Sequence, residues 1–334
     1  MSENRQVVID SLPEDTLSAE NFSVLTQEVP QPGIGEVLCR TLAITIGAGQ
    51  RAGLQGSASY AGAPRTGVPM GGSGVARVEQ SQGASVPEGS LVVCPSGWQD
   101  YSVHEASKVR VVEGDGDPAL HLGVYGTNGL TAYFGLFDVG APQADETLVV
   151  SAAAGSVGHL VGQMARIAGC RTIGVCGSDE KCSLLTGRLG FDEALNYKSP
   201  EYRQEFKQAT SDRIDIYFDN TGGDILGGAL RRMKTHGRIV CCGVVSQYDT
   251  SSPAPGPRGI PGLLINNRVR MEGFLVFDYA DRYDEGRARM REWVEAGSLV
   301  PLQDEFEGLE RAPEAFVDLL AGGNIGTRIV RVAG

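Results

Sequence analysis

The sequence predicts an α/β protein in two parts, a compact and largely β domain followed by a parallel sheet covered by helices. Three observations predict it. Up to about Leu122 the chain reads as short strands separated by Gly/Pro turns. From about Gly123 strands alternate with helices, the pattern of a parallel sheet with helices on its faces. The run SAAAGSVG at 151–158 stands between an apolar run, TLVV, and an apolar-periodic segment. A chain of 334 residues has room for two cores, since domains average about 150 residues.

The elements follow in order. The strands of the first part are GEVLCRTLAI, GVARVEQ, GSLVVCPSGW and DYSVHEASKVRVV. In the second part TLVVSAA is a strand and SVGHLVGQMARIAG a helix. Val157, Leu160, Val161, Met164, Ile167 and Ala168 fall on one face of that helix, and Gly169 is its C-terminal stop. RTIGVC is the next strand. SDEKCSLLTGRLG follows as a helix with Ser178 as N-cap and acids in its first turn. DEALNY, IDIYFDN, GRIVCCG and VRMEGFLVF continue the strands, with EYRQEFKQA and DILGGALRRM as helices among them. SSPAPGPRGIPG at 251–262 is too rich in Pro and Gly for an element and reads as an extended loop. YDEGRARMREWVEAG and RAPEAFVDLLAGG are helices, the latter with Pro313 near its start, and TRIVRV is a closing strand. No internal repeat is present.

Composition narrows the function classes. With 41% hydrophobic and 21% charged residues the chain is ordinary for a globular protein. A net charge of −12 argues against broad nucleic-acid binding. It does not exclude a phosphorylated cofactor, which needs only a local cluster of donors. MSENRQVVID has no apolar core of a signal peptide, and no unbroken apolar stretch is long enough to span a bilayer. A cytoplasmic protein is expected. The seven cysteines, Cys39, Cys94, Cys170, Cys176, Cys182, Cys241 and Cys242, form no paired framework and read as buried packing.

The glycine run carries the first functional reading. A dinucleotide fingerprint needs glycines for a tight turn, for approach of the pyrophosphate and for close helix packing. Ala153 holds the first place, Gly155 and Gly158 the second and third. Backbone N–H groups of Gly155, Ser156, Val157 and Gly158 are expected to face the pyrophosphate at the positive end of the helix. An NAD site usually ends its second strand in an acid that grips the ribose 2′-hydroxyl. Here GVCGSDEKC places Gly177 and Ser178 there, with Lys181 a turn further on, which leaves room for a 2′-phosphate and a cation to meet it. Asp179 and Glu180 argue the other way unless they serve the helix dipole. NADP is the expected cofactor.

At this point the chain resembles a known family, the zinc-independent medium-chain dehydrogenase/reductases, in the branch of prostaglandin, alkenal and curcumin reductases. The resemblance rests on GLTAYFGL, SAAAGSVG, GSDEKC, LGFDEALNYK, IDIYFDNTGG, GRIVCCGVVSQY, RMEGFLVFDYADRY and GLERAPEAFVDLLAGGNIG, in that order. SYAGAP, GSGVARV and GWQDY match more loosely in the first hundred or so residues. It implies a GroES-like β domain, residues 1–123 and 297–334, joined to a Rossmann doubly wound parallel-sheet domain, residues 124–296, with cofactor and substrate in the cleft between them. It implies NADP contacts from Lys181 and Tyr197 to the 2′-phosphate and from Asn220 beside the ribose. Cys242, Gly243 and Tyr248 would border the nicotinamide half. Backbone of Phe274, Leu275 and Val276 would meet the carboxamide, and Asn324 the nicotinamide ribose and phosphates. Read alone, Asn220 is equally a turn residue, Tyr197 a strand-edge aromatic and Asn324 a left-handed helix-end residue.

Zinc-dependent relatives carry a Gly-His-Glu run where this chain has MGGSGVARV, with Gly72 and Ser73 in place of the histidine and glutamate. His104, His121, His159 and His236 are scattered without ligand spacing, and His159 reads as a helix-surface residue near the glycine loop. No metal is expected. The chemistry the resemblance implies is hydride transfer from NADPH to the β-carbon of an α,β-unsaturated ketone or aldehyde, with a proton to the α-carbon. The family's active-site tyrosine shortly before RMEGF is replaced by Asn266, a hydrogen-bond donor but a poor acid. Tyr60 and Tyr279 are the other candidates for the proton or hydrogen bond, and solvent is a further source. The family's DPYMR becomes GAGQR at 47–51, and MPGLTAYF becomes TNGLTAYF through Thr127 and Asn128. Both changes fall where the substrate should sit, so the family's substrates do not carry over. Two alternatives stay open here, an NADPH:quinone reductase and a protein that binds NADPH without turnover. A homodimer is expected by resemblance, with VRMEGFLVF as the edge strand that pairs across a twofold axis.

Overall fold

The computed structural model describes residues 3–56, 62–83, 85–112 and 116–332. The chain divides into two compact units. One comprises Met1–Gly126, Tyr248–Ser251 and Gln303–Gly334, and the other Thr127–Gln247 and Ser252–Leu302.

Unit 1 starts with an antiparallel pair, β1 (Glu3–Ile9) and β2 (Phe22–Glu28). Its spine is β3 (Glu36–Ile46), whose residues are mostly buried. A short helix, α1 (Gly49–Gln55), leaves the end of that strand. β4 (Gly74–Ser81), β5 (Leu91–Cys94), β6 (Tyr101–Glu105) and β7 (Arg110–Val111) complete the first pass. β1, β2 and α1 are not announced by the sequence pattern. β2 exposes most of its length, Val24 and Leu25 included, so it lacks the apolar/polar contrast that marks a half-buried strand.

Unit 2 opens on α2 (Thr127–Phe134), which runs on through a wide turn at Gly135–Gly140. Six parallel strands follow: β8 (Thr147–Ser151), β9 (Arg171–Cys176), β10 (Glu193–Asn196), β11 (Ile214–Asp219), β12 (Met233–Cys241) and β13 (Arg270–Gly273). They are ordered β10-β9-β8-β11-β12-β13. In chain order that is the doubly wound Rossmann arrangement, with the reversal between β8 and β11. The crossovers are α3 (Gly158–Ile167), α4 (Asp179–Gly187), α5 (Tyr202–Ala209), α6 (Gly223–Leu230) and α7 (Ile260–Asn267), and α8 (Tyr283–Glu295) follows the last strand.

Ser178 caps α4 as expected, its hydroxyl oxygen accepting from the Lys181 N–H at 3.2 Å, and Gly169 ends α3 with φ +86°. Three expectations are corrected. α3 is buried all round from Gly158 to Ala165 rather than on one face, and His159 is 1% exposed instead of lying at the surface. The strand expected over VRMEGFLVF stops at Gly273, and Val276–Arg282 winds into a kinked 3-10 helix. The Pro/Gly-rich loop ends earlier than expected, because Pro261 sits in the first turn of α7, where its missing N–H has no helical partner to lose.

From Gln303 the chain rejoins unit 1 as β14 (Gln303–Glu307), α9 (Ala312–Leu320) and β15 (Thr327–Arg331). The mixed sheet is then ordered β14-β15-β3-β4-β5-β7, with β6 paired to β3. This is the GroES-like β domain. Its core gathers Trp98 between Phe22, stacked at 5.5 Å, and Phe316, edge-on at 5.8 Å. Beside it the buried Arg328 guanidinium donates to Asp304 and Asp318, each at 2.7 Å, and to the Ala315 carbonyl at 3.0 Å.

Candidate active site

In a doubly wound sheet, ligands meet the carboxyl ends of the strands where the strand order reverses. In unit 2 that place lies at the ends of β8 and β11. The loop after β8 turns on Ala152, held at φ +48°, and the Gly155 N–H donates to the Ala152 carbonyl at 2.9 Å. Gly155 thus shapes the loop with its amide, where the sequence led us to expect that N–H to face a phosphate. Val157 and Gly158 open α3, and the first N–H groups of a helix lack partners within it. Gly158 is required for close approach, since a Cβ there would lie 2.3 Å from the Ala152 carbonyl oxygen. Ser156 lies between Gly155 and Val157 on the same loop.

His159 locks this loop from beneath. The Leu302 N–H donates to Nε2 at 3.1 Å, so Nδ1 carries the hydrogen and donates to the Gly155 carbonyl at 2.7 Å. Burial pushes its pKa down to about 4, so the ring is neutral at physiological pH. Gln163, one turn on, donates to the carbonyls of His159 and Val300 and accepts from the Val300 N–H at 2.8 Å.

At the end of β9 the structure collects Gly177, Ser178, Lys181 and Tyr197. The position a Cβ of Gly177 would take lies 3.2 Å from the Tyr197 ring and 3.5 Å from Lys198 Cε. Lys198 Nζ stands over the Tyr197 ring, 5.8 Å from its centre. The sequence reading did not single out Lys198, although LNYK places it next to Tyr197. The turn that carries it is tied to α4 by Asn196, whose amide donates to Asp179 Oδ1 at 2.9 Å while its own Oδ1 accepts from the Lys198 N–H at 3.0 Å. The Asp179 carboxylate therefore has a structural partner. A basic, glycine-floored end of β9 with hydroxyl donors suits a 2′-phosphate.

The ends of β8, β11 and β12 are joined through one residue, Asp219, by its carboxylate and its backbone carbonyl. Asp219 Oδ1 accepts from the Tyr217 hydroxyl at 3.0 Å, the Gly222 N–H at 2.9 Å and the Ser151 hydroxyl at 3.3 Å. Burial first, then the Asp219 charge, push the Tyr217 phenol well above its ordinary pKa, so it stays a donor. Asn220 donates from its N–H to Ser151 Oγ at 2.9 Å and from Nδ2 to the Ser151 carbonyl at 2.8 Å. Cys242 and Gly243 both donate their N–H groups to the Asp219 carbonyl, at 2.9 and 3.0 Å. Burial pushes the Cys242 thiol up to about 12, with the Asp219 charge adding to it.

The register pairs Cys241 with Gly273, so Phe274, Leu275 and Val276 leave the sheet beside Cys242 and Gly243. The Val276 carbonyl accepts from the Tyr283 hydroxyl at 3.1 Å. The Tyr279 ring stacks on Phe134 at 4.7 Å and meets Phe274 edge-on at 6.4 Å. Burial, then the charges of Asp138 and Glu272, raise the Tyr279 pKa, which keeps its phenol protonated. Asn266 stands elsewhere, exposed near the end of α7 and before the entry of β13, whereas Tyr279 lies past that strand's exit. Tyr248 and Asn324 belong to unit 1. Asn324 Nδ2 donates to the Gly326 carbonyl at 3.0 Å, and the left-handed residue after α9 is Gly322 rather than Asn324. Tyr60 lies outside the described residues.

Comparison with known proteins adds the following. Residues 5–112 match the family described as N-terminal domain of oxidoreductase, and residues 156–293 the family described as zinc-binding dehydrogenase. The chain is 37% identical to an NADPH-dependent curcumin reductase of Escherichia coli, covering 99% of this chain and 97% of that protein. It is also 37% identical to a 2-alkenal reductase (NADP(+)-dependent) of Nicotiana tabacum, covering 99% and 98%. A crystal structure of CurA in complex with NADPH from Vibrio vulnificus superposes with a TM-score of 0.95 at 36% identity, covering 99% of each chain. The second family's description includes zinc, but among the described residues no group of three or more His, Cys, Asp or Glu side chains is placed to hold a metal ion.

Proposed function

We propose, for a chain that belongs to the zinc-independent medium-chain dehydrogenase/reductases, the NADPH-dependent reduction of the carbon–carbon double bond of α,β-unsaturated ketones and aldehydes. The observation that carries the reading is the end of β9. Gly177 and Ser178 occupy the place of an NAD-selecting acid, Tyr197 and Lys198 stand against Gly177, and Lys181 follows in the first turn of α4. Full-length similarity to an NADPH-dependent curcumin reductase and a 2-alkenal reductase supports the reaction type.

In this reading Ser178, Lys181, Tyr197 and Lys198 hold the 2′-phosphate, and the first turn of α3 with Ser156, Val157 and Gly158 holds the pyrophosphate. Gly155 shapes that loop. Asn220 lies beside the ribose, Cys242, Gly243 and Tyr248 beside the nicotinamide, Phe274, Leu275 and Val276 beside its carboxamide, and Asn324 near its ribose and phosphates. The bound cofactor supplies a hydride for the β-carbon of the enone. The protein's task is then to hold the enone in place and to donate a hydrogen bond to the carbonyl oxygen, where charge develops. Tyr279 is the proposed donor, because its ring is packed on Phe134 and against Phe274, just past the exit of β13. Asn266 and Tyr60 are the alternatives, and the α-carbon takes its proton from one of these groups or from water. Two copies of the chain pair through the open edge of β13.

The test is turnover of purified protein with a panel of enones and enals under NADPH and NADH, with products identified. Enone-dependent oxidation of NADPH to saturated ketone, far slower with NADH, is expected. Hydroquinone formation from quinones without enone turnover would establish a quinone reductase instead, and tight NADPH binding without turnover a binding protein.

A further inference from the structure

The feature of unit 1 that the reaction has not yet used is Arg51. It lies in α1 and is 0% exposed, a costly place for a charge. Its Nε donates to Asp249 Oδ1 at 2.8 Å and its Nη2 to the Asp15 carbonyl at 2.5 Å, while Nη1 is buried without a hydrogen-bond partner among the described residues. Asp249 belongs to Tyr248–Ser251, a segment that packs in unit 1 although the chain on either side of it belongs to unit 2. The segment is held at each residue after Tyr248. Asp249 Oδ1 also accepts from the Leu17 N–H at 2.7 Å. The Thr250 carbonyl accepts from Gln55 Nε2 at 3.3 Å. Ser251 donates from its N–H and its hydroxyl to Asp15 Oδ1, at 2.6 and 2.9 Å.

A buried guanidinium fills space less favourably than a leucine or methionine would. An apolar side chain cannot supply direction. The rigid fork of Arg51 engages Asp249 and the backbone of Asp15 at once, and so ties the segment to the stretch that holds Ser251. We propose that Arg51 is a positioning residue for the reduction: by holding Asp249 it sets the place of the adjoining Tyr248 against the nicotinamide half of the cofactor. The proposal rests on the reading given above for Tyr248.

A double-mutant cycle on the full chain tests it, with kcat, KM for NADPH and for the enone, and the urea midpoint measured for each variant. Arg51→Lys and Tyr248→Ala should each lower kcat about tenfold. The double variant should lose about tenfold and no more, because both changes act through the same ring. Losses that multiply to about a hundredfold would overturn the positioning role while leaving Tyr248 in its place. A Tyr248→Ala variant with unchanged kcat would remove Tyr248 from the nicotinamide and the proposal with it. Should Arg51→Lys fail to fold, Asp249→Asn decides from the other side of the pair, since its side chain is 24% exposed and its volume is kept. It should reproduce the fall in kcat, and a normal kcat would overturn the proposal.

Discussion

Lys198 leaves β10 directly after Tyr197 and overhangs the glycine that floors the end of β9. A second lysine at a 2′-phosphate adds a charge-assisted bond, which at an exposed site amounts to about 1.4 kcal/mol, a factor of ten. Lys198→Ala should therefore weaken NADPH binding about tenfold and leave NADH binding unchanged, as read by nicotinamide fluorescence titration. Equal weakening of both would remove Lys198 from the phosphate. His159 makes a different prediction. Its folded pKa of about 4 lies below the ordinary value of 6.5, because burial disfavours the imidazolium. As pH falls, the unfolded chain takes the proton first. The contribution of His159 is intact above about pH 6.5 and declines by up to about 1.4 kcal/mol per pH unit down to about pH 4. Urea midpoints at pH 7 and pH 5 should fall further for the unmodified chain than for His159→Asn, which has no proton to take up. Equal falls would place the sensitivity elsewhere. Ser178 as the cap of α4 was legible in the sequence, because spacing from a strand end fixes it. The placement of Lys198 over Gly177 was not, because that depends on where β10 lies beside β9, a pairing between strands separated in the chain.

At the scale of elements, β13 is a four-residue strand at the edge of the parallel sheet, with β12 as its one neighbour among the described residues. Beyond its end Leu275 and Phe277 are 42% and 57% exposed. An open edge beside apolar side chains invites another chain to pair, and natural sheets usually blunt such edges. Light scattering should give the mass of a dimer, and replacing both Leu275 and Phe277 by Asp should shift it toward the monomer. A monomeric unmodified protein at working concentration would contradict this. Element identity was legible where burial is one-sided or where capping is local, as at Ser178 and Gly169. For α3 the helix was legible but its burial was not, since its face toward Phe191 and the 300–302 stretch is buried as fully as the rest. Identity was not legible at the end of β13, where apolar residues continue after the strand stops and pack as a kinked helix instead.

At the scale of the whole molecule, unit 1 is assembled from three separate stretches of chain. The last supplies β14 and β15, the packing of Leu309 and Phe316 in the Trp98 core, and Arg328 between two aspartates. Each large apolar side chain buried there contributes about 1.5–3 kcal/mol, against a total stability of about 5–15 kcal/mol. A chain ended at Leu302 should lose unit 1 while keeping the parallel sheet. Hydrogen exchange should show protection retained in β8, β11 and β12 and lost in β3 and β4; protection surviving in β3 would refute the dependence. The sequence by itself determined the periodic elements, the glycine loop between β8 and α3, and the absence of an acid at the end of β9. Each of these is set by neighbours within a few residues, where dihedral preference, capping and hydrophobic period act. Only the tertiary structure decided that His159 is buried and neutral beneath the loop, that Lys198 overhangs Gly177, and that Arg51 grips a segment about two hundred residues away. Those outcomes depend on which strands pair and which faces meet, and that is settled by packing the whole chain at once.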